Sequence, residues 1–209
     1  SGNWDFQAAA IQQLREEPVW AWPVKNLIDP FGYGGYYINV YDKAGKELIY
    51  SRGFNTLFEE WRSTEQAKTE TQSWTNSISI PYPKAPVIIE ITARDKADMQ
   101  FHLLLKQEID PASIFIDRGK LKENRITKIQ YNGDSSGKVD LVFLAEGYTA
   151  DEQEKFVADA KRFTEALFKT PPYDTRREDF NIWAVDAVSE ESGTDVSGKG
   201  IFKLSLIHI

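Results

Sequence analysis

The stretch "VDLVFLAEGYTADEQEKFVADAKRF", Val139–Phe163, decides how the C-terminal part of the chain is read. "VDLVFLA" is nearly continuous apolar, the pattern of a strand covered on both faces. Thr149 followed by Glu152 is a capping-box pattern and predicts a helix start. Phe156, Ala160, Phe163 and Leu167 then recur at helical spacing until Pro171 and Pro172 stop the run. "FNIWAVDAV", from Phe180, predicts a second buried strand. Together these predict a β-α-β unit, parallel and right-handed.

Upstream, "NGDSSGK" (Asn132–Lys138) has no apolar residue and predicts a linker. Before it, strands dominate. "YYINVYD" and "ELIYSR" flank a turn of hairpin length, and "SWTNSISI", "PVIIEITAR", "DMQFHLLLK" and "RITKIQY" are β-rich. "NTLFEEWRSTEQAK" interrupts them as a helical insert, with Thr56 and Glu59 placed as a capping box and Thr64 at the start of a second turn. The good helix formers from Asp5 to Glu17 predict an N-terminal helix ended by Pro18. The expected class is therefore α+β. An N-terminal antiparallel β-sandwich spans 1–131, a linker 132–138, and a β-α-β portion 139–203.

Composition excludes several function classes. The net charge of -7, with no Lys/Arg-rich run, argues against nucleic acid as a partner. No apolar run approaches the roughly 18–20 residues of a membrane span. Cys is absent, so neither a disulfide framework nor a thiolate metal site can form, which fits an export route. The first residue is Ser1, not Met, so a fragment or a processed form is expected.

Catalytic constellations are sparse. The chain has only His102 and His208, far apart and outside any HExxH pair, so it offers no zinc site of its own. No GxSxG and no Cys–His arrangement is present. Glu146 stands where strand becomes turn. It reads either as a carboxylate near a strand-end cleft or as part of a solvated turn before a capped helix. "DAVSEESGTDVSGKG" (Asp186–Gly200) holds four acids in a polar loop, without EF-hand spacing. Trp20, Trp22, Tyr33, Tyr36 and Tyr37 read either as core or as a platform for sugars or peptides.

Two regions resemble a known family. The run from Val139 through Ser192-Gly193-Thr194-Asp195 is similar to the opening of the catalytic domain in the bacterial IgA-type zinc metallopeptidases, IgA peptidase family sixty-four. "LIYSRGFNTLFEEWRSTEQAK" with "SISIPYPKAPVIIEI" resembles the β-sandwich domain that precedes it. The family's opening motif usually reads Gly-Asp-Gly-Tyr-Thr; here it is Ala145-Glu146-Gly147-Tyr148-Thr149. In the family a HExxH helix follows the Ser-Gly-Thr-Asp loop and supplies zinc ligands and the water-activating Glu, none of which is present here.

The resemblance implies an incomplete zincin-like α/β domain over 139–203. It implies a secreted, periplasmic or cell-surface bacterial endopeptidase as the parent, with zinc as its cofactor. The substrates would be proteins, immunoglobulin-type or other host glycoproteins among them. This chain is expected to be inactive by itself, with Glu146, Tyr148, Asp186, Ser192, Gly193 and Asp195 as candidate cleft-lining residues and no metal ligand. Residues 204–209 ("LSLIHI") are expected to be a non-native tail. The alternative is a non-catalytic surface module that binds glycan or protein through the sandwich.

Overall fold

Nine strands and two α-helices, in chain order, are β1 (Leu14–Arg15), β2 (Tyr36–Asp42), β3 (Leu48–Phe54), α1 (Leu57–Arg62), β4 (Val87–Arg94), β5 (Phe101–Ile109), β6 (Ile116–Asp117), β7 (Ile126–Gln130), β8 (Val139–Leu144), α2 (Gln153–Leu167) and β9 (Phe180–Val185) among the described residues. The computed structural model describes residues 1–120 and 124–204. The chain is mixed α+β, and it divides into two units, Ser1–Gly119 and Lys120–Ile209. Most of the tail set apart at 204–209 lies outside the described residues.

In the first unit β3-β2-β4-β5 form one antiparallel sheet. Val40 pairs with Tyr50 on one side and Ile89 on the other, so alternate residues of three strands face one layer. Ile38, Val40, Tyr50, Val87, Ile89 and Ile109 form the core there. A full second sheet does not cover it. Leu14 of the short β1-β6 pair, with Ile11, Trp20, Leu27, Ile78 and Ile80 from irregular chain, packs there instead. "SWTNSISI" turns Ile78 and Ile80 inward yet forms no strand, and Pro81, Pro83 and Pro86 just beyond it have no N–H to donate to a ladder.

The predicted N-terminal helix is also absent. Leu14–Arg15 pairs in parallel with Ile116–Asp117, and Arg15 Nη1 binds Asp117 Oδ2 at 2.6 Å. Helix propensity amounts to at most about 0.7 kcal/mol per ordinary residue, which burying Ile11 and Leu14 outweighs. Helix α1 starts as expected, with Thr56 Oγ1 accepting the Glu59 N–H at 3.1 Å.

The unit boundary corrects the sequence reading at one strand. The sequence pattern places "RITKIQY" in the N-terminal sandwich, but β7 pairs with β9 of the second unit, in a sheet of order β7-β9-β8. The division falls at Gly119/Lys120. Polar composition at Asn132–Lys138 marks a tied turn inside the second unit. There the Asn132 N–H donates to Asn181 Oδ1 at 2.8 Å, and Asn181 Nδ2 donates to Gly133 O at 2.9 Å and Asp140 Oδ1 at 3.0 Å.

Strands β8 and β9 are parallel, joined through α2, as the hydrophobic periodicity predicted. Phe156 and Ala160 of the helix bury against Ala145 and Ala184, with Ile129, Phe143 and Tyr148 around them. The expectation that β8 is covered on both faces is corrected. The strand lies at the sheet edge, and Val142 and Leu144, on the face away from α2, are half exposed.

Candidate functional site

Parallel neighbours end on the same side of a sheet, so the turn after β8 and the loop after β9 meet. The pairing Leu144↔Val185 is continued by the Ala145 N–H, which donates to Val185 O at 3.2 Å. Gly147 then takes a left-handed φ of 76° and bends the chain toward α2. Thr149 and Glu152 form the predicted capping box and begin the helix through a short 3-10 turn, Ala150–Glu152.

Loop and turn are stitched together. The Gly147 N–H donates to the buried Ser189 hydroxyl at 2.9 Å, the Ser189 N–H to Tyr148 O at 2.9 Å, and the Gly193 N–H to Gly147 O at 2.8 Å. Glu152 adds a further tie. Its Oε2 accepts the Thr149 N–H at 3.1 Å and its Oε1 accepts the Ser192 hydroxyl at 2.9 Å. Those two bonds, the Thr149 N–H first, hold the Glu152 carboxyl below the ordinary Glu range.

The six candidate residues fall into two groups. Glu146 and Asp186 stand at the ends of neighbouring strands. Glu146 Oε2 and Asp186 Oδ1 are buried without a hydrogen-bond partner in the protein. The other Asp186 oxygen lies 3.6 Å from Arg125 Nε, whose side chain is exposed. The remaining four are more firmly engaged. Tyr148 turns its hydroxyl to Asp159 Oδ2 on α2 at 3.0 Å. Burial, and then that carboxylate, raises the Tyr148 pKa. Ser192 is held by Glu152, Gly193 by Gly147, and Asp195 Oδ1 accepts the Lys203 N–H at 2.6 Å.

Asp159 is a hub that the sequence did not mark. Arg162, Lys155 and the Tyr148 hydroxyl, in that order, lower its pKa to about 2. Ser189 was missed as well, because a serine in a Ser/Glu/Gly loop carries no pattern that distinguishes a buried hydroxyl. Arg125 immediately precedes β7, and its carbonyl accepts the Asp186 N–H at 3.0 Å.

What this rim offers chemically is a frame with two unsatisfied carboxylate oxygens. An open depression of about 260 Å³ beside it, lined by Glu191, Asp195, Phe202, Lys203 and Leu204, is smaller than the ~300–1,000 Å³ of ordinary ligand pockets. Among the described residues no three His, Cys, Asp or Glu side chains are grouped to hold a metal ion. His102 sits in the first unit and engages Asp98 Oδ2 at 2.8 Å, and His208 lies outside the described residues.

Comparison with known families supplies the rest. Residues 1–104 match the family model described as Peptidase M64 N-terminus, and residues 127–208 match the model described as IgA Peptidase M64. The second match begins at β7, inside the second unit, and overlaps the segment set apart as a tail. No curated protein sequence matches the chain. Two models of one family, in order and covering nearly the whole length, leave one assignment: the chain belongs to the IgA Peptidase M64 family.

Proposed function

We propose that this chain is the N-terminal part of a bacterial zinc-dependent endopeptidase that acts on proteins outside the cytoplasm, and that the 209-residue chain has no peptidase activity of its own. One observation carries the reading: the N-terminal and peptidase models match in order, and the rim at the ends of β8 and β9 falls within the peptidase match. In such an enzyme zinc polarises the scissile carbonyl and lowers the pKa of its bound water. The described residues do not fit that ion, since they hold no group of three potential ligands. Their part is to build one wall of the cleft.

Glu146 and Asp186 supply that wall's chemistry. A buried carboxylate oxygen with no partner costs free energy unless a donor reaches it. Substrate N–H groups, or side chains from the remainder of the catalytic domain, would serve as donors. Tyr148, Ser192, Gly193 and Asp195 position the two loops. No helix among the described residues is long and apolar enough to cross a membrane.

The test has two arms. The purified 209-residue chain is assayed for bound zinc by elemental analysis and for cleavage of denatured protein; stoichiometric zinc with turnover would overturn the reading. The reading frame is followed in genomic DNA beyond Lys203. A HExxH helix and a further ligand there, with zinc-dependent cleavage by the longer protein, is the expected outcome. In that protein Glu146→Ala and Asp186→Asn should lower kcat more than they lower Tm.

A further inference from the structure

The structure separates the aromatic residues of the first unit. Tyr36 and Tyr37 are core residues. Trp20 packs edge-on against Tyr50, and the Arg52 guanidinium lies 3.7 Å from the Trp22 ring centre. Tyr33 differs: it is 75% exposed, and Phe31 beside it is 70% exposed. Their ring centres are 5.7 Å apart and their planes only 9° from parallel.

Single exposed aromatics need no explanation, and a mobile loop often carries them. This loop is pinned on both sides of each ring. The Phe31 N–H donates to Asp29 Oδ1 at 2.9 Å, and the Gly32 N–H to the Tyr37 hydroxyl at 3.0 Å. Arg94 donates from Nη2 to Gly32 O and from Nε to Gly34 O, the latter at 3.2 Å. The Gly35 N–H donates to Asn55 Oδ1 at 2.8 Å. Gly32 and Gly34, both at positive φ, alternate with the two aromatic residues, which lets neighbouring rings meet. Arg94 is itself braced, 4.3 Å from the Phe101 ring centre, which Tyr37 meets edge-on.

We infer that Phe31 and Tyr33 form a preorganised stacking platform for a neutral carbohydrate. The pinned loop has already lost its conformational freedom, so binding does not have to order it. Its backbone donors and acceptors at Phe31, Gly32, Gly34 and Gly35 are largely engaged, so ring faces remain for recognition. A sugar has the matching chemistry: a C–H face that stacks on aromatic carbon, and a hydroxyl edge that stays in water. The net charge of -7 disfavours anionic ligands and surfaces. Two exposed rings offer roughly 300 Å², well short of the ~800 Å² a stable protein interface takes from each partner. The inference concerns Ser1–Gly119 alone and stands apart from the peptidase reading.

The experiment is titration calorimetry of the whole chain with N-acetyllactosamine, β-1,4-linked glucose and N-acetylglucosamine oligomers, and α-mannose oligomers. At least one should bind. Phe31→Ala and Tyr33→Ala should each weaken it about fivefold or more, while Tyr33→Phe, which keeps the ring, should stay within about twofold. Unchanged melting temperatures would show that the variants fold. No binding to any of the sugars, or binding indifferent to the double variant, overturns the inference. So does transfer of the platform's role elsewhere: partition onto phosphatidylcholine vesicles, or self-association by sedimentation, that Phe31→Ala abolishes.

Discussion

Gly147 and Gly193 interlock. The Gly193 N–H donates to Gly147 O at 2.8 Å, and a Cβ on Gly147 would lie 2.8 Å from the Gly193 carbonyl oxygen. With φ at 76°, Gly147→Ala meets both backbone strain and a backbone clash. It should cost about 1–3 kcal/mol, read as a lower urea midpoint for the second unit. A cost below about 0.5 kcal/mol would mean that loop and turn move apart freely.

Glu152 joins the same two segments from the other side, and its two oxygens can be tested separately. Ser192→Ala removes only the loop contact, so faster amide exchange should be confined to residues 192–195. Glu152→Ala removes that contact and the carboxylate half of the capping box, so exchange should also rise at the Thr149 N–H. Identical exchange patterns for the two variants would show that the carboxylate does not couple loop to helix.

Asp159 gives a pH signature. Its folded pKa is depressed from 3.8 to about 2 by Arg162, Lys155 and the Tyr148 hydroxyl. A depressed carboxyl contributes stability that is fully present above its unfolded pKa and is lost as pH falls through the folded value. The contribution should therefore persist above about pH 4 and disappear between about pH 4 and pH 2. Asp159→Asn should lower Tm at pH 6 and flatten the Tm–pH curve in that acid window. A variant curve that merely runs parallel to the parent's would assign the acid transition to other groups.

Much of this was legible in the sequence, and the limits are instructive. The β-α-β unit could be read because Phe156 and Ala160 keep helical spacing and Thr149–Glu152 carries its cap in four residues. Local chemistry determines those features. The Asp5–Glu17 segment misled because its propensities are local while its structure comes from a partner about a hundred residues away, Ile116–Asp117. The assignment of β7 failed for the same reason: "RITKIQY" says strand, but not which sheet. At the rim, the strand-end positions of Glu146 and Asp186 are legible in the sequence. The burial of Ser189 is not, since it depends on two loops meeting.

Asn181 tests the revised boundary. It is fully buried, and its side chain binds Asn132 N, Gly133 O and Asp140 Oδ1, tying the 132–138 turn to β8 and β9. Asn181→Leu would leave these groups short of partners and should cost about 2 kcal/mol or more. Burial raises the Asp140 pKa, and hydrogen bonds from Trp183, Ser135 and Asn181 outweigh it, leaving a net depression. The variant should relax that depression, seen as an upward shift of the Asp140 carboxyl titration by NMR. A free linker at 132–138 would predict neither effect.

The face of the second sheet away from α2 carries apolar side chains in water. Val142 and Leu144 are 50% and 56% exposed there, and Ile126 on β7 is 61% exposed. Apolar side chains left half in water contribute little to this unit's folding, because the area they bury is small. Contiguous exposed apolar surface instead promotes association and dye binding. Leu144→Thr keeps a strand-compatible shape while removing apolar area. It should change the unfolding free energy by less than about 0.5 kcal/mol and reduce both anilinonaphthalenesulfonate fluorescence and concentration-dependent light scattering. Should Leu144→Thr instead destabilise the unit by about 2 kcal/mol, as losses from a packed core do, this face is covered in solution and Leu144 belongs to a core.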